Sequence, residues 1–143
     1  MEGGAAMKKG IELRQHFHTC MPLFIALGDE IRLTIIEALT DEVLTERAQI
    51  SDVNTNQPDK NNDRQISLPA QSRPHGLNVR EITERTSLSR PAVSHHLKIL
   101  KTAGLIDVHR EGTCNYYYLS IEDSTRKLMQ LGHLLESVLS MDA

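Results

Sequence analysis

The segment between residues 78 and 119 constrains the fold more than any other part of the chain, because two capping signals and a change of hydrophobic period lie within it. Asn78-Val79-Arg80-Glu81 places a side-chain acceptor three residues before a glutamate. That capping box opens a short helix with Val79, Ile82 and Thr86 inward. Ser87-Leu88-Ser89 forms the turn. A second helix is expected over 90–103, capped by Ser89, with Pro91 in the first turn, where its missing N–H costs little. Val93, Leu97 and Leu100 make its core stripe, and Gly104 ends it. The period then falls to two. The stretches 105–109 and 114–119 flank Arg110-Glu111-Gly112-Thr113, a hairpin with a glycine available for a positive φ. A helix, a tight turn, a helix and a hairpin wing follow in order.

The flanking sequence is helical. Residues 1–10 carry three glycines and no periodicity, so a disordered terminus is expected there. From Leu13 an apolar stripe runs through Phe17, Cys20, Phe24 and Leu27, with Pro22 inside it to kink or divide the helix. Gly28 suits the end of that helix, and Asp29 caps the next, expected over 30–39. Ile31, Ile35, Ala38 and Leu39 should be buried, while Arg32 and Glu37 stay solvated. Between 45 and 76 the polar, turn-rich composition predicts a flexible insertion. At the far end Ser120 and Asp123 suggest a cap. The last helix then carries Leu128, Leu131, Leu135 and Val138 at spacings of 3, 4 and 3, with Leu134 and Leu139 beside them. The fold class expected is mainly α with a small β-hairpin wing, a single domain over 11–143.

Composition narrows the function. At 143 residues with no Trp, two Phe and three Tyr, the chain suits neither a large enzyme nor an aromatic-lined pocket. No Gly-rich phosphate loop or placed nucleophile and base can be read, so no enzyme is expected. The formal charge is −3, yet residues 85–110 hold Arg85, Arg90, Lys98, Lys101 and Arg110 against Asp107 alone. That local +4 leaves −7 on the rest of the chain. On a helical wheel, Ser94, His95, Lys98, Lys101 and Thr102 oppose the core stripe, with Arg90 at their margin. Such a face suits a helix lying in a DNA major groove, where Arg reads guanine and Ser or His reaches base edges or phosphates. The DNA-contact candidates are therefore Ser89, Arg90, Ser94, His95, Lys98, Lys101, Arg110 and Thr113. His96 belongs at the edge of the core. Cys20 and Cys114 are isolated thiols without a CxxC, which fits a reducing compartment, and no stretch approaches the roughly 18 apolar residues of a membrane span. The expected location is the cytoplasm, with no membrane partner.

These residues carry a resemblance. Ala26-Leu27-Gly28-Asp29-Glu30-Ile31-Arg32-Leu33, the run Val93-Ser94-His95-His96-Leu97-Lys98, then Ala103-Gly104-Leu105 and Tyr116-Tyr117-Tyr118-Leu119 resemble the ArsR/SmtB family of bacterial winged-helix repressors. The resemblance implies a homodimer, built by the first and last helices, that binds an inverted-repeat operator on double-stranded DNA and leaves it when an effector binds. Leu13, Phe17, Leu128, Leu131, Leu135 and Val138 supply the apolar surface that such an interface needs. Metal-sensing members place Cys-x-Cys before the turn, and the matching positions here are Asn78 and Arg80. No cofactor is expected. The remaining candidates for zinc or another divalent metal are His133 with Glu136, one turn apart on the last helix, and His16 with Cys20 on the first. A metal- or redox-responsive repressor of the same fold is the alternative within the class, and a winged-helix module that binds protein is the alternative outside it.

Overall fold

The computed structural model describes residues 2–53 and 75–140. In chain order the elements are α1 (Glu2–Leu27), α2 (Glu30–Val53), α3 (Val79–Thr86), α4 (Arg90–Thr102), β1 (Ile106–Glu111), β2 (Cys114–Leu119) and α5 (Glu122–Leu139). Their apolar stripes converge on one core. Leu23 and Ala26 come from α1, Ile35, Ala38 and Leu39 from α2, Ile82 from α3, and Val93, Leu97 and Leu100 from α4. Leu77, Leu105 and Ile106 close it from the wing side. The helix-turn-helix therefore rests on a helical layer that fixes its orientation, as expected of a winged helix-turn-helix.

Several expectations are corrected at the N-terminal side. Helix begins at Glu2, not near residue 11. The Lys9 ammonium donates to the Ser137 hydroxyl at 2.7 Å, and the Cys20 thiol donates to the Lys127 carbonyl at 3.6 Å. As the first chain number rises the second falls, so α1 and α5 run antiparallel, and α1 continues N-terminal to Lys9 with Gly3 and Gly4 exposed. Helix α1 is undivided at Pro22. Its buried side is Cys20, Leu23 and Ala26, whereas Phe17 and Phe24 of the expected stripe are 41% and 43% exposed.

Helix α2 runs on to Val53, well past residue 39, so residues 45–53 are not loop. The cause is tertiary. Glu42 is buried, and its carboxylate accepts from the Arg85 guanidinium at 2.8 Å, joining α2 to α3. The rest of the expected insertion, 54–74, lies outside the described residues. Its far edge is fixed: Leu77 and Tyr117 exchange both backbone hydrogen bonds, at 2.9 and 2.8 Å, which lays residue 77 beside β2. Gly76 makes that approach possible at φ +96°, where a Cβ would run into the Tyr117 carbonyl oxygen.

The wing pairs Ile106 with Leu119, Val108 with Tyr117 and Arg110 with Asn115 in antiparallel register, and Gly112 turns it at φ 62°. Helix α5 does not use the expected Ser120 and Asp123 cap. It starts after Ile121 without a side-chain cap. Instead the Ser120 N–H donates to the Leu105 carbonyl, and the buried Ser124 hydroxyl donates to the Gly104 carbonyl at 2.9 Å, which docks α5 against the corner after α4. Asp123 pairs with Lys127 at 3.0 Å. No helix among the described residues is long and apolar enough to cross a membrane.

Candidate nucleic-acid interface

The site is built from two caps. The Asn78 side chain accepts from the Glu81 N–H at 2.8 Å, and the Glu81 carboxylate accepts from the Asn78 N–H at 3.3 Å, which completes the capping box and starts α3. Ser87 ends α3 in the left-handed region, φ 56°, with its N–H on the Thr83 carbonyl. The chain can then turn within three residues. The Ser89 hydroxyl accepts from the Ala92 N–H at 3.3 Å, and α4 begins with Arg90 and Pro91 in its first turn.

Because Val93, Leu97 and Leu100 are buried, the opposite side of α4 is committed to solvent. Arg90, Ser94, His95, Lys98 and Lys101 are all exposed there. Among the described residues, Arg90, Lys98 and Lys101 have no carboxylate partner. Arg85, counted in the cationic segment, is instead engaged with Glu42. The wing adds Arg110 and Thr113 at its tip, both exposed, and the Arg110 Nε donates to the Gly112 carbonyl at 3.2 Å. At the wing's base His109 Nε2 lies 3.2 Å from the His75 carbonyl. His75 packs on Tyr118 at 5.1 Å between ring centres and meets the Glu46 carboxylate at 2.8 Å.

Arg32 is the residue that the sequence reading misplaced. Expected to be solvated, its side chain is largely buried and works as a connector. Its Nε donates to the Ala26 carbonyl at 2.7 Å and its Nη2 to the Ile25 carbonyl at 3.1 Å, satisfying the open end of α1. Its Nη1 lies 3.3 Å from His96 Nδ1, and since a guanidinium only donates, the imidazole nitrogen accepts. One side chain thereby ties the end of α1 to α4. The signal available in the sequence was Arg32 just inside the helix that follows Gly28-Asp29, one turn from the previous helix's open carbonyls. Asp29 caps α2 through Oδ1, accepting from the N–H groups of Ile31 at 2.9 Å and Arg32 at 3.2 Å. The hydrogen bond from the Arg32 N–H is the main cause that holds the Asp29 carboxyl below its ordinary range. Ile31, expected in the core, is exposed.

The other candidate residues are dispersed. Leu13 is half-buried, Leu128 packs on the core, Leu131 is buried within the chain, and Phe17, Leu135 and Val138 are exposed. His133 and Glu136 sit 3.9 Å apart on the open surface of α5. His16 Nδ1 lies 3.0 Å from the Glu12 carbonyl on its own helix, while the Cys20 thiol faces α5. Among the described residues no three metal-binding side chains gather. Cys114 is exposed on the wing and Cys20 is buried.

Residues 73–108, from the approach to α3 through the start of the wing, match the family model described as bacterial regulatory protein, arsR family. Over that segment the chain resembles arsR-family regulators. It is 38% identical over 53 residues to an uncharacterized HTH-type transcriptional regulator of Methanocaldococcus jannaschii, covering 37% of this chain and 58% of that protein. It is 48% identical over 40 residues to the transcriptional repressor SdpR of Bacillus subtilis, covering 28% of this chain and 44% of that one. The matches thus span about half the length of these relatives. Among solved structures, reduced HlyU from Vibrio cholerae superposes with a TM-score of 0.53 at 23% identity, covering 86% of this chain and 95% of that one. A homodimeric winged helix-turn-helix DNA-binding domain from Mycobacterium bovis superposes at 0.50 and 20% identity, over 87% and 85%. At these identities the structural likeness bears on the fold alone.

Proposed function

We propose that this protein is a sequence-specific DNA-binding transcriptional regulator, a repressor, that binds an inverted-repeat operator as a homodimer. The observation that carries the reading is the exposed strip on α4, where Arg90, Lys98 and Lys101 stand without carboxylate partners among the described residues, in a chain of negative net charge. Uncompensated cations on one face of a helix held by its opposite face suit phosphate neutralisation, and Arg90 with Ser94 and His95 offers base-edge donors. Residues 89–103 would enter the major groove and the wing, about 105–119, would lie on the backbone. The repressor role draws support from the name of the Bacillus subtilis relative, and the homodimer from the Mycobacterium bovis domain together with the exposed Phe17, Leu135 and Val138 on the paired α1 and α5.

Fluorescence anisotropy of the full chain against DNA from its own upstream region and a scrambled control, at two salt concentrations, tests this. Expected is selective binding that falls steeply with salt, as counterion release requires, and that is unchanged by chelator or zinc. Binding that ignores salt and sequence would overturn the reading in favour of a protein-binding module. Release by zinc would favour a metal-responsive repressor of the same fold.

A further inference from the structure

We propose that the cleft between α1 and α4 is an effector site for an apolar carboxylate, whose presence competes with DNA for Lys98 and His95. The regulatory consequence rests on the DNA-binding reading above; the binding itself does not. The cleft holds about 530 Å³, inside the roughly 300–1,000 Å³ typical of small-molecule sites. Its α1 wall is Met21, Pro22 and Ile25, and the α4 side is lined by His95, Lys98 and Ile99. Ile25 is 62% exposed and Met21 46%, so two large apolar side chains stand open beside each other at a concave surface. Covering them is the driving force for a ligand with an apolar body.

Charge decides what else the ligand must carry. Lys98 lines the cleft with no carboxylate partner among the described residues, so an anionic head is complementary, a neutral one gains less and a cationic one is repelled. A second copy of the chain laid on this cleft would cover the Lys98 side of α4, the side that the nucleic acid needs. The spacing on α4 explains the competition. His95, Lys98, Ile99 and Thr102 fall on successive turns facing α1, while Arg90, Ser94 and Lys101 lie on the flank away from it. A carboxylate on Lys98 therefore removes one phosphate-binding cation and crowds His95 without any rearrangement of the fold.

Isothermal calorimetry on the full chain without DNA, using octanoate, octanol and octylamine as probes, tests the site. Octanoate is expected to bind saturably and up to about fivefold more tightly than octanol, the scale of an exposed ion pair, with octylamine weakest. Ile25→Gln should weaken octanoate about tenfold by removing apolar contact. Lys98→Met should erase the preference for octanoate over octanol. Both side chains are exposed, and unchanged melting temperatures would confirm that the variants fold. Saturating octanoate should then lower DNA affinity about fivefold or more in anisotropy, the effect of masking one cation. Absence of saturable binding, octanoate affinity in both variants unchanged from the parent, or octanoate-saturated protein with undiminished DNA affinity would each overturn the proposal. A ligand-free chain that binds no DNA defeats the DNA-binding reading and the competition with it, while calorimetry still decides whether the cleft takes the anion.

Discussion

Arg90 is the first residue of α4, exposed and without an acidic partner among the described residues, and its side chain leaves the helix where a groove-bound helix meets base edges. Lys101 is a full three turns further on, at the carboxyl end, where a cation meets phosphate. Arg90→Ala or His95→Ala should therefore cost about 1–3 kcal/mol on the operator and relax base preference, whereas Lys101→Ala should weaken operator and random DNA alike. Equal losses on both DNAs for Arg90→Ala, measured by anisotropy, would remove it from base readout. Asp29 gives a residue-scale prediction in pH. Its carboxyl is held below its ordinary range by the N–H groups it caps, so its folded pKa lies below its unfolded one. The stabilisation is then complete above the ordinary aspartate range and is lost as pH falls through the depressed folded value. Thermal melts should show Asp29→Ala lowering the melting temperature at neutral pH, with the gap to wild type closing in acid. A gap that stays constant down to acid pH would show that the cap contributes no charge-dependent stability.

At the scale of elements, what was legible in the sequence was local. The caps at Asn78 and Ser89, the stripe of Val93, Leu97 and Leu100, and the period-two hairpin each encode their structure within a few residues, and each stands where it was expected. What was not legible depends on partners distant in the chain. Gly3, Gly4 and Gly10 are poor helix formers, and the helix that contains them is secured by α5, as at Lys9 and Ser137. Glu42 looks solvated until Arg85, in another helix, accounts for its burial. The stripe through Phe17 and Phe24 has the right period but cannot say which of two surfaces it faces. The candidate DNA face was readable because it is the complement of a readable core stripe, whereas the Arg32 link to His96 needs two helices brought together. The same logic gives a prediction about the insertion. Glu46 meets His75 at 2.8 Å, and seven further residues of α2, at about 1.5 Å rise each, carry Val53 about 10 Å beyond that clasp. A linker of about four residues spans such a gap, so replacing 54–74 with one should leave the melting temperature within roughly 3 °C of the parent or raise it, since loop closure grows only slowly with length. A fall of more than about 5 °C would show that the segment contributes to the core.

On the scale of the whole molecule, α1 and α5 form a two-helix layer whose outer side is too apolar for a monomer's surface. Phe17, Phe24, Leu135 and Val138 are all substantially exposed, although side chains of this kind gain about 1.5–3 kcal/mol each from full burial. Under the proposed function, a second copy related by a two-fold axis would cover such a layer and place two copies of α4 on successive turns of one DNA face, joining the apolar layer and the cationic strip in one role. Phe17→Asp and Val138→Asp put a charge at the centre of that layer while leaving the protomer's own core untouched. Each should turn a sedimenting dimer into a monomer at micromolar concentration, keep the helical circular dichroism spectrum, and lower operator affinity on the order of a hundredfold, because each half-site must then be bound without the effective concentration its partner supplied. Non-specific binding at low salt should fall far less, since it depends on α4 and the wing of each protomer. A variant that remains dimeric with operator affinity intact would move the interface away from α1 and α5, whereas one that becomes monomeric yet binds the operator as tightly as before would mean that a single α4 and wing carry all of the recognition.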